Sequence, residues 1–150
     1  MKNKYYTPEI KEFRIGFECE FKNSMQNNVW EKEICNTDTM SICYNAFEHE
    51  DYEGEFKDTF RVKYLNEDDI KSLEYENRMK RLPEKYNQYF TKNYKCKRNY
   101  YNYIHVLTND LNNHVLIVAS INLDPAKGDT LFTGIIKNKS ELKIILKQVT

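Results

Sequence analysis

Glycine and proline are scarce in this chain of 150 residues, four and three respectively, so its irregular stretches have to turn on Asn and Asp. That excludes long flexible linkers and favours short ordered loops. No run approaches the roughly eighteen apolar residues that a membrane-crossing helix needs. The first residues carry charge and Tyr rather than a basic-then-apolar leader, so the expected location is the cytoplasm. Neither sign of charge is in excess, with 23 Lys and Arg against 23 Asp and Glu. This removes the simplest argument for nucleic-acid or acidic-membrane binding by the molecule as a whole. Close cysteine pairs are also missing. The four thiols at positions 19, 35, 43 and 96 read as reduced cysteines and not as a disulfide framework. Neither GxGxxG, a Walker loop nor GxSxG occurs.

What is present is aromatic bulk. Twelve Tyr and eight Phe supply large areas for burial, and the length suits one domain over residues 1–150. Charge is segregated along the chain. Met1 to Glu76 holds ten basic against eighteen acidic residues, Asn77 to Ile104 eight against one, and the remainder five against four. An acidic first half therefore precedes a basic, Tyr-rich middle and a neutral end.

Phe13, Ile15, Phe17, Cys19 and Phe21 alternate with Arg14, Gly16, Glu18, Glu20 and Lys22, the period of a strand with one buried face. Cys19 falls on the apolar side as a core thiol, and Gly16 marks a bulge or a close backbone approach. Val29, Trp30 and Ile34 suggest a second strand, joined to the first as a hairpin through Asn23 to Asn28. Thr37 to Phe47 reads as a helix with Thr37 or Asp38 as cap and Met40, Cys43, Tyr44 and Phe47 on one face. Glu48 to Asp58 is an acidic, solvated loop. Phe60, Val62 and Tyr64 give a strand ending at Leu65. Asn66 and Asp69 then form a capping pair ahead of a short helix through Leu73.

From Asn77 to Asn99 a helix or an ordered loop both fit, with Tyr86, Tyr89, Phe90 and Tyr94 approximating one helical face. Tyr101 to Leu107 alternates as a strand, Thr108 to Asn113 turns, and the apolar run Val115 to Ile121 is the expected central strand, covered on both sides. A turn at Asp124 to Asp129 leads to a strand over Leu131 to Ile136, interrupted at Gly134. Asn138 and Glu141 cap a final helix whose Leu142, Ile145, Leu146 and Val149 share one face. The expected fold is α+β: a mainly antiparallel sheet of five or six strands with the C-terminal helix packed on one face. The Phe ribbon near the start and the Leu/Ile face near the end are expected to fill the same interior.

Chemistry is thinly signalled. Cys96, between Lys95, Lys97 and Arg98, is the thiol in the most electropositive setting, yet no local signature ties it to His49, His105 or His114. Zinc sites favour close ligand pairs, and a set made from Cys35, Cys43 and His49 would need unrelated loops to converge. Glu18 and Glu20 share the wet face of a strand, as any solubilising edge does. No catalytic, cofactor or metal residue is therefore assigned, and the chain is expected not to be an enzyme. The segment that carries a mechanism is basic and aromatic: Arg78, Lys80, Arg81, Lys85, Tyr86, Tyr89, Tyr94, Lys95, Lys97, Arg98 and Tyr100. Such a stripe suits a partner, either phosphates and bases of a single strand or the acidic run Glu48 to Asp58 of the fold itself or of a neighbouring subunit.

Three stretches, YYTPEIKEFRIGFECE (Tyr5 to Glu20), FRVKYLNEDDIKSLEYE (Phe60 to Glu76) and FTGIIKNKSELKIILKQ (Phe132 to Gln148), resemble a group of small proteins of tailed phages and prophages of Bacteroidetes. The resemblance implies a phage-encoded accessory protein in the host cytoplasm or associated with the virion. It carries no activity, cofactor or site residue. The roles it frames are binding of a host or phage protein, a minor virion component, and single-stranded nucleic-acid binding through residues 78–104; homo-oligomers fit each of them.

Overall fold

Short Asn-rich turns between alternating segments produce sheets whose neighbouring strands run antiparallel throughout. The structure is a computed structural model, and it describes residues 4–23, 27–47, 59–78, 85–94 and 101–150. The chain divides into two compact units, Met1–Tyr64 and Leu65–Thr150. The described residues form an α+β fold of two antiparallel sheets, four- and five-stranded, with a helix at the C-terminal end.

In the first unit the described strands are β1 (Tyr5–Tyr6), β2 (Glu18–Asn23), β3 (Val29–Ile34) and β4 (Phe60–Lys63), joined in the order β1-β4-β2-β3. A 3-10 turn spans Ile10–Glu12, and helix α1 spans Thr37–Phe47. β2 and β3 form the expected hairpin, with Glu18 opposite Ile34 and Asn23 opposite Val29. Asn27 and Asn28 enter β3 in left-handed backbone, φ 54° and 59°, a conformation that Asn tolerates better than other residues with a Cβ.

The alternating ribbon does not run unbroken as a strand. Gly16 adopts φ +83°, the Phe17 N–H donates to the Arg14 carbonyl, and Ile15 is 71% exposed at the apex. A turn therefore occupies residues 14–17, and β2 begins only at Glu18. Phe13, Phe17, Cys19, Cys35, Phe60 and Val62 fill this unit's core, with the Phe13 ring edge-on to Phe17 and to Phe60 at 5.3 Å each. The cap of α1 is Asn36, one residue earlier than expected: its Oδ1 accepts from the backbone N–H groups of Asp38 and Thr39.

The second unit opens with α2 (Glu67–Lys71), and Asn66 and Asp69 make the reciprocal capping box that their spacing predicts. Five strands follow as a meander: β5 (Glu76–Asn77), β6 (Gln88–Asn93), β7 (Tyr103–Asn109), β8 (His114–Ser120) and β9 (Asp129–Ile135). Helix α3 (Lys139–Val149) closes the chain. Asn138 accepts from the Glu141 N–H, while the Glu141 carboxylate reaches one residue further back than expected, to the Lys137 N–H.

Phe90, Val106 and Ile117 stand side by side on adjacent strands and face Leu142 and Leu146 of α3 within one core. The C-terminal helix thus covers one face of the sheet. Leu142 and Phe17 are both fully buried but belong to separate clusters, so the two apolar segments do not share an interior. Each ribbon finds enough apolar area within its own unit. The segment from Tyr86 to Tyr94 is a strand over Gln88–Asn93 and not a helix, because β7 supplies a hydrogen-bonding edge and both its faces are covered. The run Val115 to Ile121 ends its strand at Ser120, and Ile121 is exposed.

Two glycines are required for different reasons. A Cβ on Gly128 would sit 2.5 Å from the Ala119 carbonyl oxygen and 2.5 Å from Val118 Cγ1, whereas one on Gly16 would meet open space. Gly128→Ala is expected to cost about 1–3 kcal/mol through overpacking. Gly16→Ala is expected to cost about 1–2 kcal/mol through its left-handed backbone. Chemical denaturation checks both, and a neutral Gly128→Ala would show that the close approach relaxes freely.

Candidate functional site

The sequence QYFTKN of β6 alternates so that Phe90 enters the apolar core while Tyr89, Thr91 and Asn93 stand on the opposite face. The register sets Tyr89 beside Leu107, Thr91 beside His105 and Asn93 beside Tyr103. On the next strand His105 faces Val118, and Tyr103 faces Ser120. This second face buries polar groups: His105 is 0% exposed, Ser120 1% and Thr91 3%.

A chain of hydrogen bonds links three of these residues. Tyr89 Oη lies 2.9 Å from His105 Nδ1, His105 Nε2 lies 2.5 Å from Ser120 Oγ, and Ser120 donates to the Asn122 carbonyl oxygen. A hydroxyl has one proton, and that of Ser120 is engaged by Asn122. The imidazole therefore donates from Nε2 to Ser120 and accepts at Nδ1 from Tyr89. Nucleophilic catalysis requires the opposite direction, with the imidazole taking the serine proton. The Tyr103 ring stacks on His105 at 6.2 Å, and burial pushes the Tyr89 phenol up from its ordinary value.

The edge strand brings charge to the same face. Glu76 lies opposite Thr91, and the Arg78 N–H donates to the Tyr89 carbonyl, so residues 74, 76 and 78 line up along the rim. Arg78 pairs with Glu76 at 2.8 Å, and Lys92 pairs with Glu74 at 2.6 Å. The Lys92 ammonium holds the Glu74 carboxyl below the usual carboxylate range.

A second arrangement lies on the outer face of the four-stranded sheet. Because Cys19, Phe60 and Val62 point inward, Glu18, Glu20 and Lys22 of β2 point outward with Arg61 of β4 and Trp30, Lys32 and Ile34 of β3. The Arg61 guanidinium lies 4.0 Å from the Tyr5 ring centroid and 4.1 Å from that of Trp30, and its Nε and Nη2 both reach Glu20 Oε2 at 2.6 Å. Lys22 stands 6.0 Å over the other part of this array, the Trp30 ring. Each cation–ring contact contributes about 0.5–1 kcal/mol at such half-exposed positions. The chain's single tryptophan thus sits in a cation–aromatic ladder, and Ile34, 64% exposed, stands on the same face beyond Lys32.

Of the residues expected to meet a partner, Arg78 is exposed on the rim and Lys85 is exposed with its ammonium 5.8 Å from the Tyr86 ring. Tyr86 and Tyr89 are buried with Leu107, so neither offers a ring face for stacking. Tyr94 is half-buried, and its hydroxyl donates to the Thr150 carbonyl oxygen. Lys80, Arg81, Lys95, Lys97, Arg98 and Tyr100 lie outside the described residues, as do Cys96, His49 and the acidic run 48–58.

Sequence reasoning missed Tyr5, Trp30 and Arg61. Only the register of three strands brings them together; the alternation of Trp30 and Lys32 with Glu31 and Glu33 was the available signal. Cys19 and Cys35 are both buried free thiols, and the hydrogen bond from Cys19 holds the Cys35 thiol below its usual value against the opposing effect of burial. Among the described residues no group of three His, Cys, Asp or Glu could hold a metal ion, and no helix is long and apolar enough to cross a membrane. Compared with protein-family models, curated proteins and solved structures, the chain matches none.

Ser120→Ala leaves the buried His105 Nε2–H without its acceptor, and Tyr89→Phe leaves Nδ1 without its donor. Each is expected to cost about 1–3 kcal/mol in chemical denaturation, and a loss within error would mean that the chain of hydrogen bonds contributes nothing. His114 is held below its ordinary value of 6.5, chiefly by desolvation and secondly by Lys85. Its folded-state value lies under its unfolded one, so the stability linked to its neutral form is full above 6.5 and declines as pH falls through the folded value. An NMR titration of the ring should give a midpoint below 6.5.

Proposed function

We propose that this chain is a non-enzymatic accessory protein that recognises another protein through the outer face of its four-stranded sheet. The observation that carries this reading is the Tyr5–Arg61–Trp30 ladder on that face. Trp, Tyr and Arg are the residue types in which binding energy concentrates at protein interfaces. They combine large contact area with few rotatable bonds and a polar handle. The exposed Ile34 on the same face adds apolar area, and Lys22 and Lys32 supply a polar rim.

Charge supports a protein partner over a nucleic acid. Met1–Tyr64 holds nine basic against thirteen acidic residues, a balance that repels a polyanion at long range while leaving local cations to fix register. Two of the rings expected to stack on bases, Tyr86 and Tyr89, are taken up by the core. The setting we propose, a phage or prophage and its host, rests on the three resembling segments alone.

Affinity capture from host cells, comparing the wild type with a Trp30→Ala/Arg61→Ala variant, tests the reading. The wild type should retain a specific partner, and the variant should lose about tenfold or more of that affinity while keeping a cooperative unfolding transition. Emission from Trp30 should shift on titration with the purified partner. Equal retention by both proteins, or partner binding with no change at Trp30, would move recognition away from this face.

A further inference from the structure

Strand β3 lies at the edge of the four-stranded sheet and, among the described residues, pairs only with β2. Its backbone phase is fixed at Cys35. There the Cys35 N–H donates to the Phe17 carbonyl and the Cys35 carbonyl accepts from the Gly16 N–H, so both groups of Cys35 turn toward the β2 side. In an antiparallel pair, residues that bond the neighbouring strand alternate with residues that face away from it. Glu33, Glu31 and Val29 therefore bond to β2, while Ile34, Lys32 and Trp30 aim their N–H and C=O groups out of the free edge. The same three residues carry their side chains on the outer face of the sheet, in the row that holds Trp30 against Arg61. Backbone donors and acceptors at every second residue, with one row of side chains above them, are what an added strand needs.

The side chains define the occupant. Lys32 is exposed, and the Glu20 carboxylate opposite it is held by Arg61 at 2.6 Å. On either side stand half-buried Trp30 and Ile34, which is 64% exposed. An antiparallel strand laid on this edge sets one residue opposite each of the three, on the same face. Charge complementarity calls for Asp or Glu opposite Lys32. Cover for Trp30 and Ile34 calls for aromatic or β-branched residues two positions to either side of that acid. A second copy of this chain does not meet the pattern: the two antiparallel self-pairings centred on β3 set Lys32 against Lys32 or Glu31 against Glu31.

We infer that the free edge of β3 takes up an extended segment of the partner protein as an added antiparallel strand, with an acidic residue opposite Lys32 between two apolar ones. This rests on recognition through the outer face and names the form of the partner that the face receives. The end-capped peptide TVTETYT carries the pattern, its Val opposite Ile34, its Glu opposite Lys32 and its Tyr opposite Trp30. TVTKTYT reverses the charge, and TVTETYT methylated on the backbone nitrogen of its Glu loses the donor aimed at Lys32.

In an NMR titration of the isotope-labelled full chain, TVTETYT should bind with a Kd of about 1 mM or tighter, the range left to a short peptide after its ordering cost. Amide shifts should concentrate at residues 29–34, and hydrogen exchange should slow at Trp30, Lys32 and Ile34. Each comparator peptide should bind about tenfold more weakly. Lys32→Pro removes an N–H that takes no part in the β2 ladder, so it should abolish binding while cooperative unfolding is retained; if it fails to fold, the methylated peptide decides on the unaltered chain. A captured partner lost by Trp30→Ala/Arg61→Ala but retained by Lys32→Pro would leave the face standing and overturn the edge. No binding of TVTETYT, equal binding of the three peptides, or protection of the three edge amides by a second copy of the chain would each overturn it as well.

Discussion

Strand β7 sets the terms for the second unit because it is buried on both faces and each face demands different partners. Ile104 and Val106 need apolar cover, which α3 and the flanking strands provide. His105, one residue between them, needs hydrogen bonds to both ring nitrogens at zero exposure, and a buried imidazole left unpaired costs several times what a single paired bond contributes. Tyr89 and Ser120 can meet that need only if β6 and β8 lie in one register against β7. A slip of one residue would set Phe90 beside the imidazole and turn Tyr89 into the apolar core. The polar chain therefore acts as a register lock, and the meander around it inherits that alignment.

The first unit solves a smaller problem with aromatic rings. Among the described residues Phe13, Phe17, Cys19, Cys35, Phe60 and Val62 are buried in its core, where ring edges on ring faces give directional contacts. Its outer face is stabilised differently. Arg61 reaches across from β4 and is held between Tyr5 and Trp30 by their ring faces and by the Glu20 carboxylate, so strands from separate parts of the sheet are tied together by side chains as well as by backbone. A guanidinium fixed in this way has already lost its rotamer freedom, which lowers the ordering cost when a partner settles on it.

Elements whose signal is local were legible. The capping box at Asn66 and Asp69, the hairpin of β2 and β3, the apolar run of β8 and the i, i+3, i+4, i+7 face of α3 all follow from spacing within a dozen residues. The elements misread were those where a neighbour outvotes the local pattern. Tyr86, Tyr89, Phe90 and Tyr94 satisfy a helical period as well as a strand, and pairing with β7 decides between them. Phe13 to Phe21 alternates throughout, yet Gly16 lets the chain turn in its midst at less cost than continuing flat. Of the expected binding segment, Arg78 and Lys85 are exposed whereas Tyr86 and Tyr89 are buried, because composition cannot tell which side of a strand faces a core.

By itself the amino-acid order determined the α+β class, the antiparallel pairing of sequence neighbours, the caps at Asn66 and Asn138, and the surplus of aromatic side chains available for burial. Those properties depend on contacts between residues a few positions apart, for which chain connectivity supplies the proximity. The tertiary structure alone decided that the apolar segments fill two interiors, that a histidine is sealed between a tyrosine and a serine, and that Tyr5, Trp30 and Arg61 meet. Such meetings join residues as distant along the chain as Tyr5 and Arg61, or Ile70 and Leu146, in no periodic relation, and they exist only after strand register has been chosen by the combined burial of every row at once.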